Sequence, residues 1–355
     1  TTTKLKGEAS MVLGGVPGLK TTAGAESGNT AFNYDLRINL DTSFTGKDLL
    51  RTRLRSGNFS SKPFGSSSSI LKLDKAETSQ GTGTSSNVWL DRLYYTFPVS
   101  KNVKLTAGAL VRNTEMAWIP SAYKSDILDF FQLGGTSGVY NKATGAGFGA
   151  QYTQPGTQGF VANLNYVAEN GADSSTGVFD STGKLNLLAQ VGYRAPQFGV
   201  AVGYRYGTEG SRVRNFNALG GGSGALVNGQ DSNSVAFNAY WQPKTSGIVP
   251  SITFGYGYNG INGSGSRTGA TNSQSWMTGL QWSDVFAKGN AAGVAVGQPS
   301  NSENANKATL VEFFYKYQVS NNIAVTPAIF YVSDNQGAQN ASTNWGGVIQ
   351  TTFRF

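Results

Sequence analysis

The chain contains no cysteine and no histidine. That absence excludes disulfides, thiolate metal sites, thiol nucleophiles and histidine general bases together. Charge is scarce as well: Asp, Glu, Lys and Arg make up 14% of the 355 residues, against 39% hydrophobic residues and a mean hydropathy of −0.26. Ser, Thr, Asn, Gln and 47 Gly therefore supply the polarity. No stretch approaches the roughly 20 apolar residues of a membrane-spanning helix. A membrane β-barrel is not excluded by that, because only alternate residues of each strand must be apolar. The opening "TTTKLKGEAS" has no apolar core of a signal peptide, so an exported protein would carry its signal upstream. The net charge of +8 comes without a Lys/Arg run or a recognition-helix pattern, which argues against nucleic acid.

What is present is a period of two. In "FNYDLRINLD", Phe32, Tyr34, Leu36, Ile38 and Leu40 alternate with Asn33, Asp35, Arg37, Asn39 and Asp41. An extended strand of this kind has one greasy and one wet face. The pattern recurs in "DLLRTRLRS", with Leu50, Thr52 and Leu54 opposed to Arg51, Arg53 and Arg55. "VKLTAGALVR" sets Val103, Leu105, Ala107, Ala109 and Val111 against Lys104, Thr106, Gly108 and Arg112. "FVANLNY", "LNLLAQVGYR", "FGVAVGYRY", "VAFNAYW", "ITFGYGY", "WMTGLQW", "VEFFYKY", "IAVTPAIFYV" and "WGGVIQTTFRF" follow. In "VWLDRLYYTF" the adjacent Asp91 and Arg92 leave the facing open. The expected count is about 16 strands, an even number as in single-chain bacterial barrels.

The connections alternate in length. Short turns fall at Thr45–Asp48, Val99–Asn102, Gln154–Thr157, Ala195–Gln197, Pro243–Gly247, Ala287–Asn290 and Val319–Asn322. Long segments rich in Gly, Ser and Asn fall at Gly14–Thr30, Phe59–Ser86, Asn113–Ala143, Asn170–Gly183, Thr208–Ser232, Asn262–Ser273, Pro299–Ala305 and Ser333–Ser342. An up-and-down meander puts its two kinds of connection at opposite ends, as outer-membrane barrels do with periplasmic turns and external loops. A sandwich with Greek-key crossings has no reason to obey that rule. About 16 strands also close a ring too wide for side chains to fill, leaving water inside. Inward Arg, Asp, Asn, Gln and Thr could not pack as a dry core. The reading is an all-β transmembrane antiparallel barrel, residues 1–355 as one domain, with Phe32 and its alternates facing lipid. Aromatics at the strand ends, among them Tyr94, Tyr95, Tyr204, Tyr240, Trp241, Trp276 and Trp282, fit girdles at the two membrane interfaces. The alternating end "GVIQTTFRF", with Phe353 in phase and Phe355 terminal, reads as a bacterial outer-membrane assembly signal.

"TTTKLKGE" at Thr1–Glu8, "LDRLYYTFPVS" at Leu90–Ser100 and the terminal "FRF" resemble the barrel of cyanobacterial outer-membrane porins. These are the OprB-like, carbohydrate-porin-related group often called iron-uptake porins. The resemblance covers essentially the whole chain, with the opening octet its most specific part. It implies a homotrimer in outer-membrane lipid and a constriction formed by an infolded third external loop. It also implies an upstream surface-layer-homology domain and coiled coil that bind peptidoglycan, neither of which lies in this chain.

The longest connection, Asn113–Ala143, is the candidate constriction loop. Ser125 is expected to cap a short helix with Asp126 at its positive end. Ile127, Phe130 and Phe131 would pack on the wall while Glu115, Lys124, Asp126 and Asp129 face the pore. An ordinary external loop with a helical turn is the alternative. On the wall, Arg51, Arg53 and Arg55 with Arg37 form a basic strip that would attract anions and, with loop acids opposite, set a transverse field. Alternatively these arginines simply pair with Asp35, Asp41 or the loop. Lys104 and Arg112, then Arg194, Arg205, Glu312 and Lys316, are also expected inward.

The first functional expectation is passive diffusion of small inorganic ions, and of small hydrophilic nutrients, through a trimeric water-filled pore without a cofactor. A substrate-selective channel for sugar, phosphate or iron is the second, although no inward aromatic slide and no metal-ligand spacing stand out. A structural tether between outer membrane and cell wall is the third. A barrel enzyme is disfavoured by the missing histidine. An energised siderophore receptor would need about 22 strands and a plug. "GGGSG" at Gly220–Gly224 lacks the Lys-Ser/Thr ending of a phosphate loop.

Overall fold

A computed structural model of the chain describes residues 1–20, 24–67, 69–78, 87–211, 229–263, 271–301, 308–333 and 344–355. Its first eight strands are β1 Thr2–Gly15, β2 Ala31–Ser43, β3 Leu49–Gly57, β4 Trp89–Pro98, β5 Val103–Arg112, β6 Thr144–Thr153, β7 Gly159–Ala168 and β8 Leu185–Arg194. The rest are β9 Phe198–Gly207, β10 Asp231–Trp241, β11 Ser251–Asn262, β12 Asn272–Ser283, β13 Ala291–Asn301, β14 Leu310–Gln318, β15 Ile323–Val332 and β16 Asn344–Arg354. Each pairs antiparallel with its neighbours in sequence, and β1 pairs with β16 from Glu8↔Arg354 to Gly15↔Gly347. The ring is closed. Gly7 and Phe355 exchange both backbone bonds beyond that ladder, at 2.6 and 3.1 Å.

The period of two sets the facing. Phe32 is 66% exposed on the outside, and Phe160 and Ile329 each 56%. Leaving such side chains in water forfeits roughly 1.5–3 kcal/mol apiece. The outer belt therefore lies in lipid, where a closed sheet also leaves no strand edge unpaired. The short turns gather at one end. One of them is tied by Asp48, whose Oδ1 accepts from Thr45 N at 2.8 Å and Ser43 Oγ at 2.7 Å, while Tyr95 OH donates to Oδ2 at 2.7 Å. Much of the long connections at Thr208–Ser232, Asn262–Ser273, Pro299–Ala305 and Ser333–Ser342, with Gly220–Gly224, lies outside the described residues.

Bulges on β4 and β5 reset the alternation there. Arg53 pairs with Arg92 and Leu54 with Leu90, so Asp91 is the extra residue of β4. Asp91 and Arg92 are consequently both buried. On β5, Leu110 pairs with Leu93 and Gly108 with Tyr94, which leaves Ala109 without a partner on β4. Val111 then turns inward and packs with Tyr94, Met116, Ala143 and Val167, not outward as its phase with Val103 implied.

The interior also departs from the expectation of a uniformly wet lining. Along β12 to β16 and β1, the inward residues include Met277, Ala295, Phe314, Phe330, Val348 and Val12, all in one buried apolar cluster. These strands are apolar on both faces because loops cover them from within. The sheet predicts its own sensitivity. Val202→Arg, at an exposed mid-strand position on β9, should destabilise the barrel by about 2–4 kcal/mol in denaturant unfolding from lipid vesicles, the usual depth-dependent cost. Little change would mean that this face does not meet hydrocarbon.

Candidate pore constriction

On β2 and β3 the inward residues meet in register: Arg37↔Arg55, Asn39↔Arg53 and Asp41↔Arg51. Arg51 grips Asp41 with two bonds of 2.8 Å, and Arg55 grips Asp35 at 3.0 and 2.6 Å. Arg37 reaches Asp35 at 3.1 Å, and Arg53 Nε donates to Asn39 Oδ1 at 2.8 Å. Arg53 also lies 3.6 Å from Asp91 and 3.7 Å from Glu115. Both readings of the strip therefore describe real geometry: the arginines are concentrated on one wall, and they are paired. The pairing is uneven in depth. Side-chain exposure is 21% for Arg37 and 22% for Arg51, but 1% for Asp35 and 7% for Asp41. At Arg37 and Arg51 the cation is the wetter partner, whereas Glu115 and Glu77 are at least as exposed as the Arg53 and Arg55 they pair with.

The Asn113–Ala143 segment enters the barrel and lines its wall. It leaves β5 through a 3-10 turn, Asn113–Met116, and carries one helical turn, α1, Asp129–Gln132. Along β8 to β12 its backbone is held by inward side chains. Gln190 bonds Trp118, Thr253 accepts from Ala122 N at 2.9 Å, Arg205 donates to Gly138 O at 2.6 Å, and Ser275 donates to Gly135 O at 2.8 Å. Gly134 and Gly135 have φ of 64° and 70°, a left-handed pair that lets the chain turn against β11. Gly255 offers no Cβ there, and a Cβ would collide with Gly134 O. Ile127, Phe130 and Phe131 pack in the apolar cluster with Phe314 and Met277. Tyr123 meets Phe131 and Phe314 edge-on at 6.0 and 5.4 Å. Glu312 on β14 fastens this end, accepting from Tyr123 OH at 2.7 Å and Leu128 N at 2.8 Å. Burial, reinforced by Glu312, raises the Tyr123 phenol well above its ordinary value.

The helix differs from the expected one. Leu128 occupies the N-cap without a side-chain bond, while Ser125 Oγ accepts from Ile127 N and Gln132 Nε2. Asp126 stands before the helix in a left-handed conformation, φ 60°. Its carboxylate lies 3.4 Å from Lys316 and 3.9 Å from Lys75 and from Arg354. Asp129 is fully buried and paired with Lys142, so it does not present a charge to the lumen. Glu115 bonds Arg92 at 2.9 Å, and Arg112 Nε donates to Thr144 at 3.0 Å. Lys124 N donates to Gln281; burial, with Lys316 adding to it and Asp126 opposing, lowers the Lys124 ammonium below its ordinary value. Lys104 is exposed on β5. Arg205 is buried under the loop, and Arg194 Nη2 reaches Gln154 O and Gly156 O at 3.2 Å. Phe355 lies over Gly7 next to the closing ladder, with Phe353 opposite Ala9.

A second loop was missed at the sequence level. Residues 59–67 and 69–78 fold inward and pair with the first loop: Asp129 N donates to Lys72 O at 2.9 Å and Asp74 N to Ile127 O at 2.8 Å. Lys142 lies 2.9 Å from Asp74, Lys75 lies 3.2 Å from Glu8, and Glu77 lies 3.1 Å from Arg55. Only the apolar run "ILKL", Ile70–Leu73, in an otherwise Ser-rich segment hinted at this. Burial pushes the Asp74 carboxyl up, but Lys142, Arg37 and Lys75 outweigh it and hold it well below the carboxylate range. Arg37, Arg51, Arg53, Glu8 and Asp126 remain partly exposed on the interior side of these two loops. Among the described residues no group of three His, Cys, Asp or Glu could hold a metal ion.

No family model matches the chain. It is 29% identical to an uncharacterized protein of Synechocystis sp., with all of this chain matched to 69% of that one. It is 28% identical to an uncharacterized protein of Nostoc sp., again over the whole chain and 66% of the relative. Among solved structures it is similar to Pseudomonas putida OprB, with a TM-score of 0.65, 10% identity, and coverage of 99% of this chain and 94% of that one. The anion-selective porin of Comamonas acidovorans gives a TM-score of 0.64 at 12% identity over 100% and 99% of the two chains. Trimeric OmpT of Vibrio cholerae gives 0.63 at 10% identity over 100% and 99%. The fold is that of bacterial outer-membrane porins, and the apolar belt places it in the bacterial outer membrane.

Two outcomes follow from the loop ties. Glu312→Ala leaves Tyr123 OH and Leu128 N unpaired, a cost of about 1–3 kcal/mol each; limited proteolysis should then cut within residues 113–143 where the parent resists. The Asp74 tie has a pH signature. Its folded-state pKa lies below the unfolded value, so its contribution is full at neutral pH and is lost as pH falls below about 4 toward the folded value. Single-channel current noise should rise in that range in the parent and be already raised at neutral pH in Asp74→Asn.

Proposed function

We propose that this barrel is an outer-membrane channel through which small inorganic ions and small hydrophilic nutrients diffuse passively. Supporting it are the closed ring of 16 strands, the wet charged passage and the porin-like structural neighbours. The finer reading rests on one observation: the depth asymmetry of the β2–β3 ladder. Along it an ion in the lumen would meet Arg37, Arg51 and Arg53 before Asp35, Asp41 and Asp91, which lie deeper in the wall. In a narrow passage with low-dielectric walls such a face concentrates anions. Lys6, exposed above Asp41 at 3.3 Å, extends the same surface. Flux needs no cofactor and follows the gradient, limited by the two loops. The relatives of Synechocystis and Nostoc support a cyanobacterial source, the OprB neighbour supports the OprB-like type, and the trimeric neighbour supports a homotrimer.

The test is reversal potential and conductance in a planar bilayer under a salt gradient. Arg51, Arg53 and Arg55 changed together to Ser should move selectivity toward cations; Arg51→Gln alone should move it the same way by less. Unchanged selectivity would shift the filter to Glu115, Asp126 or another group. No conductance from folded parent barrels would refute the channel.

A further inference from the structure

Near the loop-side ends of β3, β5 and β6 the interior holds a polar cavity of about 460 Å³. Arg55, Lys72, Arg112 and Lys142 border it, with hydroxyls from Ser61 and Thr144. Three carboxylates border it too, and each is engaged. Asp74 is matched by Lys142 at 2.9 Å and Glu77 by Arg55 at 3.1 Å, while Glu169 accepts from Asn186 at 3.3 Å. Arg112 is in a different position. Its Nε donates to Thr144 Oγ1, and among the described residues no carboxylate lies within the 4.0 Å ion-pair limit of its guanidinium. Its charged neighbours are Arg92 and Arg55 and, opposing them, Glu115 and Asp91, both already paired with Arg92. Arg55 is likewise paired, with Asp35 and Glu77. Arg112 thus borders the cavity as a guanidinium with no ion pair of its own, a costly arrangement away from bulk water. A bound anion removes that cost.

We propose that this cavity binds a small doubly charged oxyanion of the phosphate or sulfate type, with Arg112 as its principal ligand. A tetrahedral oxyanion offers several acceptor oxygens to converging N–H and O–H donors, and a guanidinium fork matches two of them. A halide presents one centre and cannot use the donor set. Thr144 is the positioning residue: its Oγ1 accepts from Arg112 and donates to Lys142 O at 3.0 Å, which fixes where the fork points. The site deepens the channel reading by giving the passage a resting place for one class of permeant, although binding itself does not require conduction.

Equilibrium dialysis of radiolabelled inorganic phosphate against the detergent-folded full chain tests it. Saturable binding is expected, displaced by sulfate and not by chloride at equal ionic strength. Arg112→Gln should weaken it roughly tenfold or more, with Arg112→Lys between the two because it keeps charge and loses the fork. Thr144→Val should weaken it by less, and it keeps the test alive if Arg112→Gln does not fold. Absent saturable binding, displacement by chloride as effective as by sulfate, or affinity indifferent to both positions would overturn the site. Chloride conductance of the parent is read separately: its absence with phosphate binding intact refutes the channel and not the site, and conductance without phosphate binding does the reverse.

Discussion

In hydrocarbon no water is available to take an orphaned N–H or C=O, so a spanning sheet must close. Here the closing contact is the ladder between β1 and β16, from Glu8↔Arg354 to Gly15↔Gly347, extended by the paired backbones of Gly7 and Phe355. Once the ring is shut, every strand residue faces lipid or interior with no third choice. The Phe32-to-Leu40 stripe, the buried polar wall and the segregation of turns from loops all follow from that division.

The ring sets the diameter, and two loops occupy part of the interior it encloses. Residues 113–143 spread over the inner wall from β8 to β14, and residues 59–67 and 69–78 bridge them to β1 and β3. Two kinds of force hold this lining. Phe130, Phe131 and Ile127 are fixed by dry packing against an apolar arc of wall, at roughly 1.5–3 kcal/mol per buried side chain. Around them, charge pairs such as Lys142 with Asp74 and Asp129 fix position more than they add stability. A packed anchor with an ionic rim gives a lining that is dry at its root and charged at its edge.

Strand number, facing and connection lengths were legible because lipid and interior impose opposite polarity on alternate residues. Asp91 beside Arg92 was not legible, since a bulge shifts phase without altering composition, and Ala109 turned Val111 inward by the same device. The dry arc was hidden for another reason. Phe314 and Phe330 read as ordinary strand residues until a loop remote in sequence covers them; Glu312 and its partner Tyr123 lie 189 residues apart. The arginine strip was visible as charge, whereas the depth of each acid beneath it depends on neighbours from three strands. Ser125 had the chemistry of a cap, but the helix begins four residues later, after the left-handed Asp126.

The separation of ring from lining has an evolutionary consequence. Lipid-facing residues answer to membrane thickness and to assembly, while residues 59–67, 69–78 and 113–143 answer to the interior they line. The interface between these two sets of demands is confined to inward wall positions such as Gly255, Ser275 and Glu312. A sequence that keeps those docking points can exchange loop side chains and remodel its interior without altering how the barrel is built.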